Sequence, residues 1–249
     1  MPPKSPRVRL DLLLLDRGLA ESRQKAQAMI LAGEVEVDGK RVEKAGFAVA
    51  QDVRIQVHSR LQRFASRGGF KLEGALADFA VSVQGKICLD VGSSTGGFTD
   101  CLLQQGATRV YAVDVNTDQL AWKLQKDSRV TCIRKNAREL AAQDLPELVD
   151  VVVADVSFIS VVKILPSAVA CAKPAAEFLI LVKPQFELQR QEVGKGGIVR
   201  QPELHQKAIA SVRHAAELLG LAGLRAAPSK LPGAEGNQEY FLHARKGLG

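Results

Sequence analysis

From Ile87 onward, short apolar runs alternate with segments of helical periodicity. The apolar runs predict strands, and the amphipathic segments between them predict helices that cover both faces of one sheet. The predicted strands are 87–91, 109–114, 130–133, 149–154, 178–182, 223–229 and 239–245, and the predicted helices are 97–105, 117–126, 159–172 and 202–219. No helix separates the last two strands, so we expect an α/β sheet, mainly parallel, that ends in an antiparallel pair.

A smaller unit precedes this pattern. Its predicted elements are helices over 10–16 and 23–31 and strands over 34–37, 40–42 and 53–57. Ser22 is a suitable N-cap for the second helix, and Asp38-Gly39 is a typical tight hairpin turn. We therefore expect a small α+β domain over 1–60, a linker over 61–70 and a larger domain over 71–249.

Charge and cysteine usage narrow the class of protein. The net charge is +7, and residues 1–63 hold 12 Lys/Arg against 8 Asp/Glu, so a quarter of the chain carries more than half of the excess. This distribution favours a polyanionic partner of the N-terminal domain. Four cysteines and four histidines are scattered without metal-ligand spacing, and the N-terminus lacks the apolar core of a signal peptide. We expect a cytoplasmic protein with neither a metal nor a membrane partner.

A turn of small residues follows the first strand of the larger domain, with the pattern D-x-G-x-S-x-G-G over 90–97. Such a turn lets the backbone approach a ligand and directs helix N–H groups at it. A phosphate-binding P-loop is excluded because no lysine follows Gly96, and Ser94 replaces the second glycine of a dinucleotide fold. The pattern resembles the first motif of S-adenosyl-L-methionine (AdoMet) methyltransferases, in which a carboxylate such as Asp90 can reach the methionine ammonium. An ordinary strand–turn–helix corner is the alternative.

An acid also ends the second strand. Asp114, in Asp114-Val115-Asn116, lies about 20 residues beyond the glycine-rich turn, a position that suits the two hydroxyls of a ribose. NAD would use the same acid, so this residue alone does not decide the cofactor. The expected cofactor contacts are Asp90, Gly92, Ser93, Ser94, Thr95, Gly96, Gly97, Phe98, Asp114, Val115, Asn136 and Asp155.

Four charged residues adjoin the predicted strands: Lys71 before the first, Asp155 after the fourth, Lys183 after the fifth and Glu239 at the start of the last. Ligands of open α/β sheets bind at the carboxyl ends of the strands, where Asp155 and Lys183 should lie. Taken singly, each residue could be a surface, capping or strand-exit residue. Together they resemble the K-D-K-E tetrad of FtsJ-type ribose 2′-O-methyltransferases.

The N-terminal unit resembles the S-four RNA-binding module, named after a ribosomal small-subunit protein. The resemblance rests on Arg9-Leu10-Asp11, Asp16-Arg17-Gly18, Ser22-Arg23-Gln24-Lys25-Ala26 and the string 30–39. It implies RNA contacts by Arg7, Arg9, Arg23, Lys25, Lys40 and Arg41, to which we add Arg67 of the linker. Cations in the first turn of a helix oppose its dipole, so phosphates explain Arg23 and Lys25 better than helix stability does.

Two further strings extend the resemblance over nearly the whole chain: Val182-Lys183-Pro184-Gln185-Phe186-Glu187 and Val193-Gly194-Lys195-Gly196-Gly197-Ile198-Val199. With the tetrad and the N-terminal module, they make the chain similar to the TlyA family. The resemblance implies a seven-stranded Rossmann-like AdoMet methyltransferase sheet behind a small RNA-binding domain. It also implies ribose 2′-O-methylation of ribosomal RNA or ribosomal subunits, at a cytidine of 16S or 23S rRNA.

This chemistry requires a base, because a ribose hydroxyl is a weak nucleophile near neutral pH. A lysine accepts a proton only in its neutral form, which a nearby lysine and partial burial favour. We assign Lys183 as the base and Asp155 as its orienting partner. Lys71 would favour neutral Lys183 and steer the ribose, and Glu239 would fix the arrangement.

Other activities are less compatible with the sequence. Amine methylation commonly uses Asn/Asp-Pro-Pro-aromatic after the fourth strand, whereas this chain has Asp155-Val156-Ser157-Phe158 there. The TlyA family also carries a hemolysin label, but we find no basic amphipathic or membrane-spanning segment to support it. An NAD-linked oxidoreductase with an RNA-binding module is the remaining alternative.

Overall fold

The computed structural model describes residues 7–20, 22–57, 63–233 and 236–248. The chain divides into two compact units, 1–63 and 64–249. Phe64 is buried in the core of the second unit, and the Ala65 N–H donates to Asp100 Oδ2 at 2.7 Å. The predicted linker over 61–70 is therefore wrong for 64–70, which fold with the second unit, while residues 61 and 62 lie outside the described ranges.

The described residues of the first unit form two helices and five short strands. The elements are β1 Arg7–Arg9, α1 Leu10–Asp16, α2 Arg23–Leu31, β2 Val35–Val37, β3 Lys40–Arg41, β4 Ala48–Ala50 and β5 Ile55–Val57. β2 pairs antiparallel with β3 and β5, and β1 pairs antiparallel with β4. Ser22 Oγ accepts from the Lys25 N–H at 3.2 Å, which confirms the expected cap of α2. The pair β1 and β4 was not predicted, because three-residue strands carry too little alternation.

The second unit is built on a seven-stranded sheet. Its elements are α3 Gly68–Phe79, β6 Ile87–Val91, α4 Gly97–Gln104, β7 Arg109–Asp114, α5 Trp122–Gln125, β8 Val130–Arg134, β9 Val149–Ala154, α6 Leu165–Ala170, β10 Ala172–Val182, α7 Pro184–Glu187, α8 Pro202–Leu218, β11 Leu221–Pro228 and β12 Tyr240–Lys246. The strand order is β11-β12-β10-β9-β6-β7-β8. β12 runs antiparallel to β10 and β11, and the other neighbours are parallel, which confirms the predicted architecture.

Two apolar cores cover the two faces of this sheet. Successive side chains of a strand point to opposite faces. In β9, Val152 and Ala154 accordingly belong to one core, whereas Val151 and Val153 belong to the other. The near-continuous apolar run of β9 thus reflects a central strand that is buried on both sides.

Four elements of the second unit differ from the sequence-based prediction. α3 was not predicted at all. The helix predicted over 117–126 is a 3₁₀ turn over Thr117–Gln119 followed by the single turn of α5, and the helix predicted over 159–172 is reduced to a 3₁₀ turn and α6. β10 begins at Ala172 rather than 178, with a register shift before Glu177 that follows Pro174 and the positive φ of Ala175.

Candidate active site

A cavity of about 200 Å³ lies at the carboxyl end of the parallel strands. Gly92 follows β6, Asp155 follows β9 and Lys183 follows β10, so three adjacent strands contribute to it. Open α/β sheets bind ligands at this edge. Of the residues predicted to be functional, those that line the cavity are Arg67, Lys71, Gly92, Ser93, Ser94, Thr95, Gly97, Phe98, Asp155 and Lys183. The sequence analysis did not single out Ser66, Gly68, Ser157 and Pro232, which complete the lining.

The four predicted catalytic residues form two ion pairs. Lys71 Nζ lies 2.5 Å from Glu239 Oε2, and both side chains are at least nine-tenths buried. Lys183 Nζ lies 2.6 Å from Asp155 Oδ1. Glu239 does not line the cavity itself but holds Lys71, which does. Removing one member of such a pair leaves a buried charge without its partner.

Glycines bring three chain segments close together around the cavity. Gly92 has a φ of +84°, and a Cβ there would collide with the carbonyl oxygen of Asp155. At Gly97 a Cβ would collide with Ser66 Oγ and lie 3.0 Å from the Gly69 nitrogen. α3 and α4 therefore begin side by side, with their first residues at the cavity, where helix N–H groups favour an anionic or polar ligand.

Gly96 has a different role from the one expected. It does not line the cavity. Its φ is +93°, and a Cβ there would overlap Leu120 and Leu124, which are 3% and 2% exposed. Glycine at this position therefore allows the turn to pack against the segment that follows β7, and it does not make room for a ligand.

Asp90 is also placed differently from the expectation. The residue is completely buried, and its Oδ2 accepts from the Thr99 hydroxyl at 2.6 Å. Burial raises the pKa of Asp90 to about 7, although the Thr99 hydrogen bond acts in the opposite direction. Asp90 is not among the residues that line the cavity, and its second oxygen, Oδ1, is buried without a hydrogen-bond partner among the described residues.

Three further predicted cofactor residues lie outside the cavity lining. Asp114 ends β7, and its carboxylate accepts from the backbone N–H groups of Ser94 and Asn116, both at 2.9 Å. Val115 is 65% exposed, and Asn136 Oδ1 accepts from the Arg138 N–H at 3.1 Å to cap a 3₁₀ turn. Asp114 alone of these three is hydrogen-bonded to the glycine-rich turn, which keeps its carboxylate beside the cavity.

Glu187 ties together the two segments that carry Lys183 and Asp155. Its carboxylate accepts from the Ser160 hydroxyl at 2.5 Å and from the Val161 N–H at 2.8 Å. Burial raises the pKa of Glu187, while these two hydrogen bonds lower it. No local sequence pattern predicts this contact, because Ser160 and Glu187 lie 27 residues apart.

The predicted RNA contacts of the first unit fall into two groups. Arg9 and Arg23 both donate to the carboxylate of Asp11, which is completely buried. Their hydrogen bonds, that of Arg9 above all, hold the pKa of Asp11 well below its usual range. The remaining members are exposed: Arg7, Lys25, Lys40 and Arg41. Asp11 therefore compensates the charge of Arg23 within the fold, an intramolecular partner that the sequence analysis did not foresee, and the RNA contact of Arg23 stays a prediction.

The described part of the chain contains neither a group of residues suited to a metal ion nor a helix suited to a membrane. Across residues 7–20, 22–57, 63–233 and 236–248, no cluster of three or more His, Cys, Asp or Glu side chains could hold a metal ion. Within the same ranges, no helix has both the length and the apolar character needed to cross a membrane.

Comparison with known proteins identifies both units. Residues 64–246 match the FtsJ-like methyltransferase family, and residues 8–55 match the S4 domain. A Mycobacterium tuberculosis protein named 16S/23S rRNA (cytidine-2'-O)-methyltransferase TlyA is 46% identical over 241 residues, which cover 96% of this chain and 90% of that protein.

Solved structures agree with this assignment. A Streptococcus thermophilus structure that carries a hemolysin name is 39% identical and covers 97% of this chain and 89% of its own, with a TM-score of 0.77. An S-adenosylmethionine-dependent methyltransferase from Mesorhizobium loti, 15% identical with a TM-score of 0.51, covers 71% of this chain and 98% of its own and shares the fold. With its S4 domain, its FtsJ-like methyltransferase domain and close sequence identity along nearly its full length, the chain belongs to the TlyA family of methyltransferases.

Proposed function

We propose that the protein transfers a methyl group from AdoMet to the ribose 2′-hydroxyl of a cytidine in ribosomal RNA. The observation that carries the proposal is the pairing of Lys71 with Glu239 and of Lys183 with Asp155 around one cavity beside a glycine-rich turn. Nothing in this donor set suits hydride transfer in particular, whereas two lysines and two acids suit proton removal from a hydroxyl. The name of the M. tuberculosis relative supports the choice of ribose and of cytidine.

AdoMet fits the glycine-rich side of the cavity. The Ser93 hydroxyl oxygen is buried and has no hydrogen-bond partner among the described residues, although Ser93 lines the cavity. The backbone of 92–98 and the first turn of α4 can bind the polar groups of AdoMet, and Asp114 can accept from its ribose hydroxyls. When bound, AdoMet supplies a methyl group on a positively charged sulfur, which makes that carbon electrophilic.

Lys183 acts as the proton acceptor in this proposal. Neutral Nζ removes the 2′-hydroxyl proton as the oxygen attacks the methyl carbon, the carbon–sulfur bond breaks, and its electron pair stays on sulfur. The products are the ribose methyl ether, a neutral thioether and the Lys183 ammonium ion. Asp155, 2.6 Å from Nζ, stabilises the ammonium that forms. Lys71, held by Glu239 at the cavity wall, positions the ribose.

The RNA is bound in the first instance by unit 1–63, and the methyl transfer takes place in unit 64–249. The exposed cations Arg7, Lys25, Lys40 and Arg41 supply phosphate contacts. Arg9 and Arg23, each about half exposed, add two guanidinium groups whose orientation Asp11 fixes. Arg67 differs from these because it lines the cavity, so it contacts the RNA at the target nucleotide.

Radiolabelled AdoMet incubated with the protein and with purified ribosomal subunits tests this proposal. We expect label in ribosomal RNA with the wild type and far less with Lys183→Ala. In a separate calorimetric experiment, we expect the protein to bind AdoMet and not NAD. Binding of NAD without binding of AdoMet, or lysis of erythrocytes without any labelled RNA, would contradict the proposal.

A further inference from the structure

Ser157 contacts the proposed base, Lys183, but the proposed function has so far assigned it no role. It lies two residues after Asp155, in the loop that follows β9. Its Oγ accepts from Lys183 Nζ at 2.7 Å, and the residue lines the cavity. A hydroxyl at this distance from Lys183 Nζ affects the orientation of the amine relative to a substrate.

The two partners of Lys183 interact with it differently. The contact with Asp155 is a close ion pair, but Asp155 Oδ1 has no aligned hydrogen bond within the described part of the chain. The contact with Ser157 does meet hydrogen-bond geometry. Hydrogen bonds weaken steeply when the angle departs from alignment, whereas an ion pair depends mainly on distance. Ser157 is therefore a second partner, beside Asp155, that restricts rotation about the Cε–Nζ bond.

Rotation of this bond decides whether lysine can act as a base. A neutral amine carries two N–H groups and one lone pair, which occupy three staggered positions. With one N–H directed at Ser157, the Asp155 carboxylate attracts the second N–H and repels the lone pair. The lone pair then takes the third position, and because Lys183 lines the cavity, a substrate hydroxyl can meet it there.

We propose that Ser157 is a positioning residue that orients the Lys183 lone pair toward the ribose 2′-hydroxyl. The inference rests on the proposed function, because it concerns the same base and the same substrate. It adds a fifth residue to the site and assigns it a role in the chemical step rather than in the binding of AdoMet or RNA.

Three substitutions at this position distinguish the effect of the hydroxyl from the effect of side-chain shape. Ser157→Ala removes the acceptor, Ser157→Val removes it while filling the space, and Ser157→Thr keeps it in nearly the same shape as valine. Because Ser157 is exposed, none of the three disturbs packing. We expect the single-turnover methylation rate to fall on the order of 10- to 100-fold in the alanine and valine variants. The threonine variant should stay within about threefold of wild type.

Binding measurements identify the step that is affected. The Kd for AdoMet and the KM for RNA should change less than about twofold in all three variants, since Ser157 acts on the proton transfer alone. Ser211→Ala, an equivalent change at an exposed serine of α8, should leave rate and binding at wild-type values.

The results that overturn the inference differ from those that overturn the proposed function. A wild-type rate in Ser157→Ala, a threonine variant as slow as the valine variant, or a loss of AdoMet binding in step with the rate would each overturn the role of Ser157. Failure of the wild-type protein to methylate RNA would instead overturn the proposed function.

Discussion

Gly96 shows that a glycine in a predicted ligand-binding turn can serve packing instead. With φ at +93° and Leu120 and Leu124 within reach of a Cβ, Gly96→Ala combines backbone strain with overlap in a filled core. Gly85→Ala is the matched control, because Gly85 has a φ of +72° and no atom within 4 Å of its Cβ position. We expect Gly85→Ala to lower the free energy of unfolding by about 1 kcal/mol and Gly96→Ala to lower it by a further ~1–3 kcal/mol. Urea denaturation measures the free energy of unfolding of both variants. Equal losses in the two variants would show that Leu120 and Leu124 move aside without a loss of stability.

The buried carboxyl of Asp90 makes stability depend on pH. Its pKa is about 7 in the folded protein against 3.8 when exposed, so between these values the folded state keeps a proton that the unfolded state releases. The free energy of unfolding therefore falls as pH rises through this window, by up to ~1.4 kcal/mol per pH unit. Asp90→Asn removes this pH-dependent contribution to stability, and the asparagine side-chain oxygen can still accept from the Thr99 hydroxyl.

Urea denaturation at pH 4.5 and pH 8 tests this account of Asp90. Relative to wild type, Asp90→Asn should be more stable at pH 8 than at pH 4.5. A stability difference that stays constant between the two pH values would contradict the raised pKa.

Sequence could identify residues at strand ends but not residues defined by distant contacts. Asp155 and Lys183 were predicted because they follow apolar runs whose carboxyl ends meet in any parallel sheet, whereas Lys71, in α3, and Glu239, before the antiparallel β12, were predicted from the resemblance to the K-D-K-E tetrad. The hydrogen bond from Lys183 to Ser157 and the burial of Asp90 depend on side-chain directions at the end of folding. No local pattern encodes these directions.

At the scale of elements, α7 and the loop after β9 form one assembly through Glu187. Glu187→Ala removes the acceptor of both the Ser160 hydroxyl and the Val161 N–H, so the loop that carries Asp155 loosens. We expect kcat to fall about tenfold and the free energy of unfolding to fall by ~1–3 kcal/mol. Glu187→Gln keeps an oxygen for the Val161 N–H and gains an amide donor for Ser160, so it should retain most of the activity.

Steady-state kinetics and thermal unfolding check the role of Glu187. Glu217→Ala supplies the same side-chain truncation at an exposed position of α8, where the carboxylate has no hydrogen bond to another described residue. The proposed role of Glu187 in holding the loop after β9 would be refuted if Glu187→Gln were as impaired as Glu187→Ala, or if Glu187→Ala behaved like the control.

Elements with a strong apolar pattern were predicted accurately, and those with special backbone geometry were not. β6, β7 and β9 have the predicted bounds because each is a central apolar run. α3 was missed because it begins with Gly68-Gly69, residues that ordinarily indicate a loop. The two glycines are there because α3 begins against α4 and Phe64, where a Cβ on Gly69 would overlap the Phe64 ring. That requirement is tertiary and invisible to a local pattern.

At the scale of the whole molecule, the uneven charge predicts where RNA affinity originates. Lys25 is exposed in the first turn of α2. Its backbone N–H donates to the Ser22 cap, and this hydrogen bond does not involve its ammonium group. Lys25→Glu should weaken binding to ribosomal RNA and reduce the slope of log K against log salt by about 1, since one phosphate contact is lost. Lys44→Glu changes the net charge equally at an exposed lysine outside the proposed contact set. Filter binding over a salt series compares them, and identical slopes would remove Lys25 from the RNA contacts.

The central claim is that Lys183 takes the proton of a ribose hydroxyl. The most direct measurement is mass spectrometry of nucleosides from ribosomal RNA that has been incubated with AdoMet and the protein. We predict 2′-O-methylcytidine from the wild type and a rate lower by about 10²–10⁴ with Lys183→Ala. Lys183→Arg should be equally impaired, because a guanidinium stays protonated near neutral pH, and both variants should keep wild-type affinity for AdoMet. A methyl group found on the base, or near-normal turnover by Lys183→Arg, would contradict the account.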